Sequence, residues 1–334
     1  MKPVFIIAEA GVNHNGNFNT AIKMIDAAKA FNADAIKFQS YIAEELVLPN
    51  TEKADYQKLG SDPGSQREML KKYQLDFLEQ TKLSDYAKKI GIEFISSPFD
   101  LKSLGFLRLI NVNIIKIPSG EITNIPLLTK IAELKKQIIL STGMASITEI
   151  SNAMDCLKLE GSFNPKVTIL HCSTDYPTPL SDVNLNGMDY LKNYFQTDVG
   201  YSDHTIGIDV ALAAVAKGAT VIEKHFTLDK TSEGPDHRAS LDIDEFTLMV
   251  KKIRMIEKIL GKYQKKPSGT ELLNKKVVRK SLVSNTFIKK GTIYTTSNLT
   301  TKRPFLGVCA SEWKNYLGKT AKRDYQKDEL IDKE

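Results

Sequence analysis

Two histidines follow apolar stretches of the sequence and stand where they could share a metal ion. Residues 221–224 form a short β-branched run with a charged end that leads directly into His225, and the run that begins at residues 199–201 leads to His204. Such runs are typical of buried parallel strands, whose carboxyl ends carry the active site in α/β barrels. Imidazole nitrogens are common ligands of divalent cations. The pair therefore predicts a Lewis acid site, with hydrogen-bonded structural histidines as the alternative.

Lysines, carboxylates and hydroxyl groups recur at the ends of other apolar runs. Lys37 and Lys116 each stand at such an end, as do the carboxylates of Glu9, Glu121 and Glu223. Hydroxyl groups occupy equivalent places at Ser96, Ser97, Ser119, Ser141, Thr142, Ser173, Thr174 and Ser202. Ammonium and hydroxyl groups around a ring of strand ends form a cradle for phosphate and carboxylate oxygens. Salt bridges at the rim are the alternative for the lysines, but a lysine that follows an apolar run seldom lacks a partner, which favours function.

Eight short apolar runs, each followed by turn residues and a helical pattern, are needed to position these side chains. The runs cover residues 5–8, 35–38, 94–96, 114–117, 137–140, 168–171, 199–201 and 221–224. Between them, segments such as residues 19–31 and 209–217 have apolar residues at the three- and four-residue spacing of amphipathic helices. Strand and helix alternating eight times predicts an α/β protein with a (β/α)₈ TIM barrel, and a doubly wound open sheet is the alternative.

Two segments depart from this alternation. Residues 41–80, including a turn at residues 61–65, are polar and rich in turn residues, which indicates an elaborated loop over the site. After a barrel domain over residues 1–261, the lysine-, proline- and glycine-containing residues 262–278 indicate a linker. Residues 279–334 consist of short alternating pieces and predict a small, mostly β module.

Composition narrows the class of protein. Of 334 residues 42% are hydrophobic, enough for a large core, and no apolar stretch has the length of a signal peptide or a membrane span. Three widely spaced cysteines argue against a disulfide framework, so we expect a cytoplasmic protein without membrane partners. The net charge of the whole chain is +6, but its distribution is uneven, because residues 262–334 carry 17 Lys+Arg against 7 Asp+Glu. These charges are dispersed and lack interleaved aromatic residues, which favours an anionic substrate or an acidic neighbour over nucleic acid.

Eight motifs, in order along nearly the whole chain, resemble those of the sialic acid synthase family. They are EAGVNHNG at residues 9–16, KFQS at 37–40, SSPF at 96–99, KIPSGE at 116–121, STGM at 141–144, YPTP at 176–179, SDHT at 202–205 and EKHFT at 223–227. The resemblance implies a TIM barrel followed by an antifreeze-like (SAF) domain in a domain-swapped homodimer. It further implies that phosphoenolpyruvate condenses with the open-chain aldehyde of an N-acylated mannosamine, giving a nine-carbon 2-keto acid and phosphate.

The resemblance also implies roles for individual residues. His204 and His225 would hold Mn²⁺ or Mg²⁺. Phosphate contacts are implied for Lys116, Ser97, Ser119 and Ser141. Substrate-carboxylate contacts are implied for Lys37 and Ser202. Acid–base or orienting roles are implied for Glu9 and Glu121, and contacts with the sugar for Gln39, Tyr176 and Asp236. Arg303 would contact the N-acyl group of the sugar in the partner subunit, although Phe305 and Leu306 replace the family's usual glycine-rich turn.

The resemblance allows more than one sugar as the second substrate. N-acetylmannosamine, giving N-acetylneuraminate, is the first expectation, and 2,4-diacetamido-2,4,6-trideoxymannose, giving N,N'-diacetyllegionaminate, is the alternative; a related altrose would give pseudaminate. A Schiff-base aldolase that uses Lys37 or Lys116 is a more distant alternative. A carbohydrate- or ice-binding protein, suggested by the C-terminal module alone, would leave the lysines and histidines of the barrel without a purpose.

Overall fold

A computed structural model describes residues 2–58, 64–158 and 166–333 of the chain. The chain forms two compact units, Met1–Gly261 and Lys262–Glu334. Within the described residues, no helix is long and apolar enough to cross a membrane.

In the described part of the first unit, eight parallel strands close into a barrel in which β1 pairs with both β2 and β8. The strands are β1 (Phe5–Gly11), β2 (Ala35–Ser40), β3 (Glu93–Pro98), β4 (Ile114–Ile117), β5 (Gln137–Ser141), β6 (Val167–His171), β7 (Val199–Asp203) and β8 (Val221–His225). The closed barrel confirms the predicted (β/α)₈ fold and rules out the open sheet. Several strands extend further toward their carboxyl ends than predicted, because polar residues continue the backbone ladder there.

Helices alternate with the strands and pack on the outside of the barrel. In chain order they are α1 (Phe18–Ala30), α2 (Ala43–Leu46), α3 (Asp55–Lys58), α4 (Gln66–Tyr73), α5 (Phe77–Ile90), α6 (Leu101–Leu109), α7 (Ile125–Glu133), α8 (Ile147–Leu157), α9 (Asn186–Phe195), α10 (Asp209–Ala216) and α11 (Ile243–Leu260). Capping boxes begin several of them, as at α5, where the Asp76 carboxylate accepts from the Glu79 amide and Glu79 accepts from the Asp76 amide.

The segment between β2 and β3 is more regular than the sequence indicated. It contains α2, α3 and α4, and a capping box between Ser65 and Glu68 begins α4. These helices are short, so their periodicity is too brief to be recognised among polar residues. Of the predicted turn at residues 61–65, positions 61–63 lie outside the described residues.

A layer of apolar side chains fills the lower part of the barrel interior, below the carboxyl ends of the strands. Seven strands contribute one buried residue each, namely Ile7, Ala35, Ile95, Ile114, Ile139, Leu170 and Val221, with Phe5 packed against them. The residues on either side of each of these along its strand mostly face the surrounding helices, as Ile6 and Ala8 do. This layer, the apolar floor, forms the base on which the next layer rests.

Gly200 of β7 leaves room for the apolar floor. A Cβ at this position would overlap the Val221 carbonyl oxygen and lie 2.6 Å from Leu170 Cδ2. We expect Gly200→Ala to lower the free energy of unfolding by about 2–3 kcal/mol, because a packed strand interior cannot move aside. In the matched control Gly105→Ala, on α6, the new Cβ meets nothing within 4 Å. Higher helix propensity should raise stability there by up to about 1 kcal/mol. Chemical denaturation of both variants measures the two shifts, and equal changes would contradict this packing argument.

The second unit has its own small core. Strands β9 (Ser281–Ser284) and β10 (Leu299–Lys302) pair antiparallel, and buried residues such as Leu282, Tyr294 and Tyr325 pack around them. The predicted linker contains a helix, α12 (Gly269–Val278), begun by a capping box between Ser268 and Glu271; a further short helix, α13 (Trp313–Tyr316), lies near the end. The sequence did not predict this helix, because the segment contains lysines, a proline and a glycine and the helix has no buried apolar face.

Candidate active site

Directly above the apolar floor lies a layer of polar side chains. Side chains alternate along a strand, so the residue two positions beyond each floor residue faces the same interior. These residues, together with Ser202 of β7, are Glu9, Lys37, Ser97, Lys116, Ser141, Cys172 and Glu223. All of them line one cavity of about 940 Å³.

Ion pairs join the charged members of this layer. The Lys37 ammonium lies 2.7 Å from Glu9 Oε2 and 3.6 Å from Glu223 Oε1. Lys116 donates to Glu223 Oε1 at 3.1 Å, and the Ser202 hydroxyl donates to the same oxygen at 3.0 Å. All five side chains are buried. The two carboxylates therefore balance the two lysines, and an incoming dianion would meet both ammonium groups.

Burial and neighbouring charges perturb the pKa values of these groups in different directions. Burial raises the pKa of Glu9, with repulsion from Glu223 adding to the rise, although Lys37 acts against it. Burial alone would also raise the pKa of Glu223, but attraction to Lys116 and Lys37 outweighs it and holds that pKa low. Burial lowers the pKa of Lys116, only partly offset by Glu223. The two carboxylates thus differ in proton affinity, as expected where one is to exchange a proton and the other to stay ionised.

Two hydroxyl groups of the layer are left without partners. The buried Ser97 and Ser141 hydroxyls have no hydrogen-bond partner within the described residues, and both line the cavity. Buried hydroxyls are normally satisfied by a partner, so unpaired ones that face a cavity next to lysines indicate that a ligand supplies it. Ser119, on the short turn Ser119–Glu121 after β4, borders the same part of the cavity.

His204 and His225 lie next to each other at the cavity, with ring centroids 5.6 Å apart. Burial lowers the pKa of His204 to about 4 and that of His225 well below its usual value, so both imidazoles are neutral. His204 Nδ1 lies 2.6 Å from the Ser173 carbonyl oxygen and donates to it, so Nε2 is the acceptor nitrogen. The Tyr176 hydroxyl lies within hydrogen-bond distance of Nε2, and a metal ion bound there would take the place of that hydroxyl. His225 Nδ1 is buried 3.6 Å from Asp236 Oδ2 and has no hydrogen-bond partner in the part of the chain that the structure describes.

This donor set fits part of a metal site. Neutral imidazoles, one oriented by a backbone carbonyl, are suitable ligands for a divalent cation. Among the residues described, no group of three or more His, Cys, Asp or Glu is arranged to hold a metal. Substrate and water oxygens would therefore complete the coordination, as at catalytic sites that keep open positions.

The remaining predicted barrel residues lie around the wider part of the same cavity. The Tyr176 hydroxyl lies 3.0 Å from His204 Nε2, and the two rings stack with centroids 4.0 Å apart. Burial raises the pKa of Asp236 to about 6. Glu121 Oε2 accepts from the Asn124 amide at 2.6 Å, and burial raises its pKa. Gln39 lines the cavity at the end of β2.

Two other histidines, His171 and His14, have structural contacts. His171 Nε2 lies 3.0 Å from the Val183 carbonyl oxygen, and its ring packs against Tyr201. His14 is buried and accepts a hydrogen bond from the Gly16 amide. Neither lines the cavity.

Two members of the polar layer received no role from the sequence, Glu223 and Cys172. Glu223 stands two residues before His225 on the same strand, so strand alternation alone would have placed it on the same face as that histidine. Cys172 accepts from the Gly143 amide at 3.1 Å; nothing in its sequence context separated it from an ordinary buried cysteine.

The first unit is thus a (β/α)₈ barrel built as enzymes of that fold are, with its polar groups at the carboxyl ends of the strands. The model of the NeuB family matches residues 24–265, and that of the SAF domain matches residues 279–334. The chain belongs to the NeuB family, which confirms the resemblance to sialic acid synthases.

Individual relatives cover nearly the whole chain. It is 51% identical over 332 residues to an N,N'-diacetyllegionaminic acid synthase of Campylobacter jejuni, with 99% of each chain covered. Identity to the N,N'-diacetyllegionaminic acid synthase of Legionella pneumophila is 45% over 317 residues, covering 94% of this chain and 89% of that one. The crystal structure of an N-acetylneuraminic acid (sialic acid) synthetase from Leptospira borgpetersenii in complex with citrate gives a TM-score of 0.73 at 37% identity, covering 82% of this chain and 90% of that one.

Proposed function

We propose that the protein condenses phosphoenolpyruvate with 2,4-diacetamido-2,4,6-trideoxymannose to give N,N'-diacetyllegionaminate and phosphate. The observation that carries this choice of sugar is the 51% identity, over almost the full length of both chains, to a synthase of that product. It replaces the first expectation, N-acetylmannosamine, because identity to a sialic acid synthetase is lower, at 37%.

In this proposal the polar layer binds phosphoenolpyruvate. Lys116, Ser97, Ser141 and Ser119 receive the phosphate, since all four line the same cavity and the Ser97 and Ser141 hydroxyls have no hydrogen-bond partner among the described residues. The Lys37 ammonium and the Ser202 hydroxyl, which both contact Glu223, receive the carboxylate of phosphoenolpyruvate. When this carboxylate binds Lys37, it replaces part of the Lys37–Glu9 ion pair, and Glu9 is left beside the reacting atoms.

The sugar aldehyde then reacts with C3 of the enol phosphate. The C2=C3 π electrons form the C3–C1 bond, and the aldehyde oxygen takes up a proton. Water adds at C2 and loses a proton, and the C2 carbonyl then forms as the hydroxyl proton is lost and the C2–O bond to phosphate breaks. His204 and His225 would hold Mn²⁺ or Mg²⁺, which when bound supplies Lewis acid polarisation of the aldehyde. Glu9, whose pKa burial raises, is suited to exchange the proton, and Glu121 is a second candidate.

The lining of the wider cavity supports a 6-deoxy, diacetamido sugar. The segment between β2 and β3 contributes mainly apolar side chains here, Leu46, Val47, Ala54 and Leu70. It also contributes two amides, with Gln66 Nε2 donating to Gln57 Oε1 at 3.2 Å. Apolar groups accommodate a C6 methyl better than a C6 hydroxyl, and side-chain amides can pair with a C4 acetamide. Gln39, Tyr176 and Asp236 would contact the rest of the sugar.

Phosphate release tests the choice of sugar. With Mn²⁺ and phosphoenolpyruvate, we expect kcat/KM for the diacetamido sugar to exceed that for N-acetylmannosamine by at least about 100-fold, because a site built to hydrogen-bond an acetamide discriminates strongly against a sugar that lacks it. Faster turnover of N-acetylmannosamine would restore the first expectation. Turnover of neither sugar by folded protein would contradict the synthase.

We further propose a domain-swapped homodimer in which Arg303 contacts the N-acyl group in the partner's barrel. Arg303 is exposed and directly follows β10. The basic C-terminal unit and the acidic balance of the barrel, with net charges of opposite sign, favour their association.

A further inference from the structure

A second row of paired side chains lies on the outer face of the barrel, behind the two histidines. Strands β7 and β8 pair in register, with Ser202 opposite Glu223 and Asp203 opposite Lys224. The first of these pairs faces the cavity and is joined by the 3.0 Å hydrogen bond described above. The second, the outer ion pair, joins Lys224 Nζ to Asp203 Oδ2 at 2.9 Å, and both side chains have 0% exposure.

The outer ion pair also holds the backbone that follows His204. Lys224 Nζ donates to the Thr205 carbonyl oxygen at 2.5 Å. Asp203 Oδ1 accepts from the Thr205 amide at 2.9 Å and from the Thr205 hydroxyl at 2.7 Å. Every polar group of Thr205 is therefore bound to one of the two charges, and the chain is fixed on both sides of His204.

Stability alone does not account for a fully buried ion pair. Removing two charges from water costs about as much as their attraction returns, so an apolar pair of similar size would often be equally stable. The position of the pair is informative instead, because His204 and His225 are the residues that immediately follow Asp203 and Lys224. The ion pair joins β7 and β8 at their last paired position, directly before His204 and His225.

We propose that Asp203 and Lys224 are positioning residues that set the separation and orientation of the His204 and His225 imidazoles for the metal ion. They contact neither the cavity nor the reacting atoms. Their effect reaches the metal through Thr205, the His204 backbone and the strand register. The inference rests on the proposed metal centre, and it assigns a role to the one fully buried ion pair, among the described residues, that the reaction itself does not use.

The test measures the binding of Mn²⁺ alone, by electron paramagnetic resonance of the free ion. The double variant Asp203→Asn/Lys224→Met leaves no unpaired buried charge and keeps an acceptor for Thr205, so folding should be retained. We expect its Kd for Mn²⁺ to rise by about 10- to 100-fold, the usual effect of losing a group that orients a metal ligand. Because phosphoenolpyruvate is bound by other side chains, its Kd measured without metal should change by less than about threefold.

The matched control is Asp34→Asn/Arg254→Met. Arg254 Nη2 and Asp34 Oδ2 form an ion pair at 2.7 Å, and Asp34 lies just before β2, at the opposite end of the barrel strands. This variant should lose thermal stability without a change in the Kd for Mn²⁺. Equal Mn²⁺ affinity in the wild type and in Asp203→Asn/Lys224→Met would overturn the inference.

A single substitution and the wild type itself provide two further measurements. If the double variant does not fold, Thr205→Val removes only the hydroxyl bond to Asp203, and a severalfold rise in the Kd for Mn²⁺ is expected. An unchanged Kd in that variant would overturn the inference. Failure of the wild type to bind Mn²⁺ would overturn the proposed metal centre as well, so the wild-type measurement separates the two failures.

Discussion

Lys116→Met is expected to lower kcat/KM for phosphoenolpyruvate by at least about 100-fold, the effect of removing one preorganised charge that faces the reacting group. The Lys116 ammonium is buried at the cavity beside the unpaired hydroxyls of Ser97 and Ser141. Methionine keeps most of the volume but supplies neither charge nor hydrogen bonds. Glu223 would keep Lys37 and Ser202 as partners, so the fold should survive. Phosphate release at saturating sugar measures the loss, and circular dichroism checks folding.

Lys130→Met is the matched control for this change. Lys130 lies on α7 and pairs at the surface with Glu133. Exposed pairs contribute about 1 kcal/mol or less, so activity and stability should stay close to those of the wild type.

Borohydride treatment during turnover addresses the Schiff-base alternative, since only an imine on Lys37 or Lys116 would give a permanently labelled protein. A labelled, chelator-insensitive enzyme would favour the aldolase.

The same variant reports on the proposed contact of Arg303 with the partner subunit. Mixtures of Lys116→Met and Arg303→Ala chains, each of reduced activity, should after refolding together form hybrids in which one barrel has an intact Lys116 and receives an intact Arg303 from the other chain. Random pairing would restore about a quarter of the wild-type activity for a symmetric dimer. A contact within one chain would restore none. Arg303→Ala by itself should weaken use of the sugar more than binding of phosphoenolpyruvate.

Removal of the metal is expected to abolish turnover, and His225→Ala should raise the Mn²⁺ concentration needed for half activity by more than about 100-fold. Loss of a direct ligand should exceed the 10- to 100-fold effect typical of groups that only orient a ligand. We expect metal binding to depend on both imidazoles because they are neutral, so that each offers a lone pair to the metal ion without first losing a proton. Dialysis against EDTA followed by Mn²⁺ titration of phosphate release gives both measurements.

His171→Gln provides the control for this prediction. The His171 ring packs against Tyr201 away from the cavity, so its replacement should lower the melting temperature but leave the Mn²⁺ requirement unchanged. Full activity after exhaustive chelation would show that His204 and His225 have a structural role, the alternative that the sequence left open.

The barrel and the contents of its cavity were accessible from the sequence because both depend on strand periodicity. Each apolar run ends in polar residues, and in a closed parallel barrel all carboxyl ends meet on one face. Lys37, Lys116 and Ser141 could therefore be placed in one cavity without knowledge of any contact. The structure brings to that cavity all the barrel residues for which the resemblance implied a role, whereas the Ser96, Thr142 and Ser173 hydroxyls do not line it. The chemical roles of the cavity residues stay predictions.

What the sequence did not reveal depends on contacts between distant segments. The unpaired state of the Ser97 and Ser141 hydroxyls follows from what surrounds them, which no local pattern encodes. The low pKa of Glu223 requires two lysines from other strands. Helices α4 and α12 are begun by capping boxes, but their polar composition resembled that of loops. The choice of sugar likewise depends on how the segment between β2 and β3 folds over the cavity.

Under the proposed function, the apolar floor would also set the order in which molecules arrive and depart. Buried residues such as Ile7, Ile95 and Ile139 fill the interior of the described barrel below the polar layer, so ligands reach the lysines from the carboxyl ends of the strands. The molecule that occupies the lysines directly above the floor must enter before one that fills the wider part near Tyr176 and Asp236. Phosphoenolpyruvate would thus bind first and the sugar second, and the sugar acid would depart before phosphate can follow.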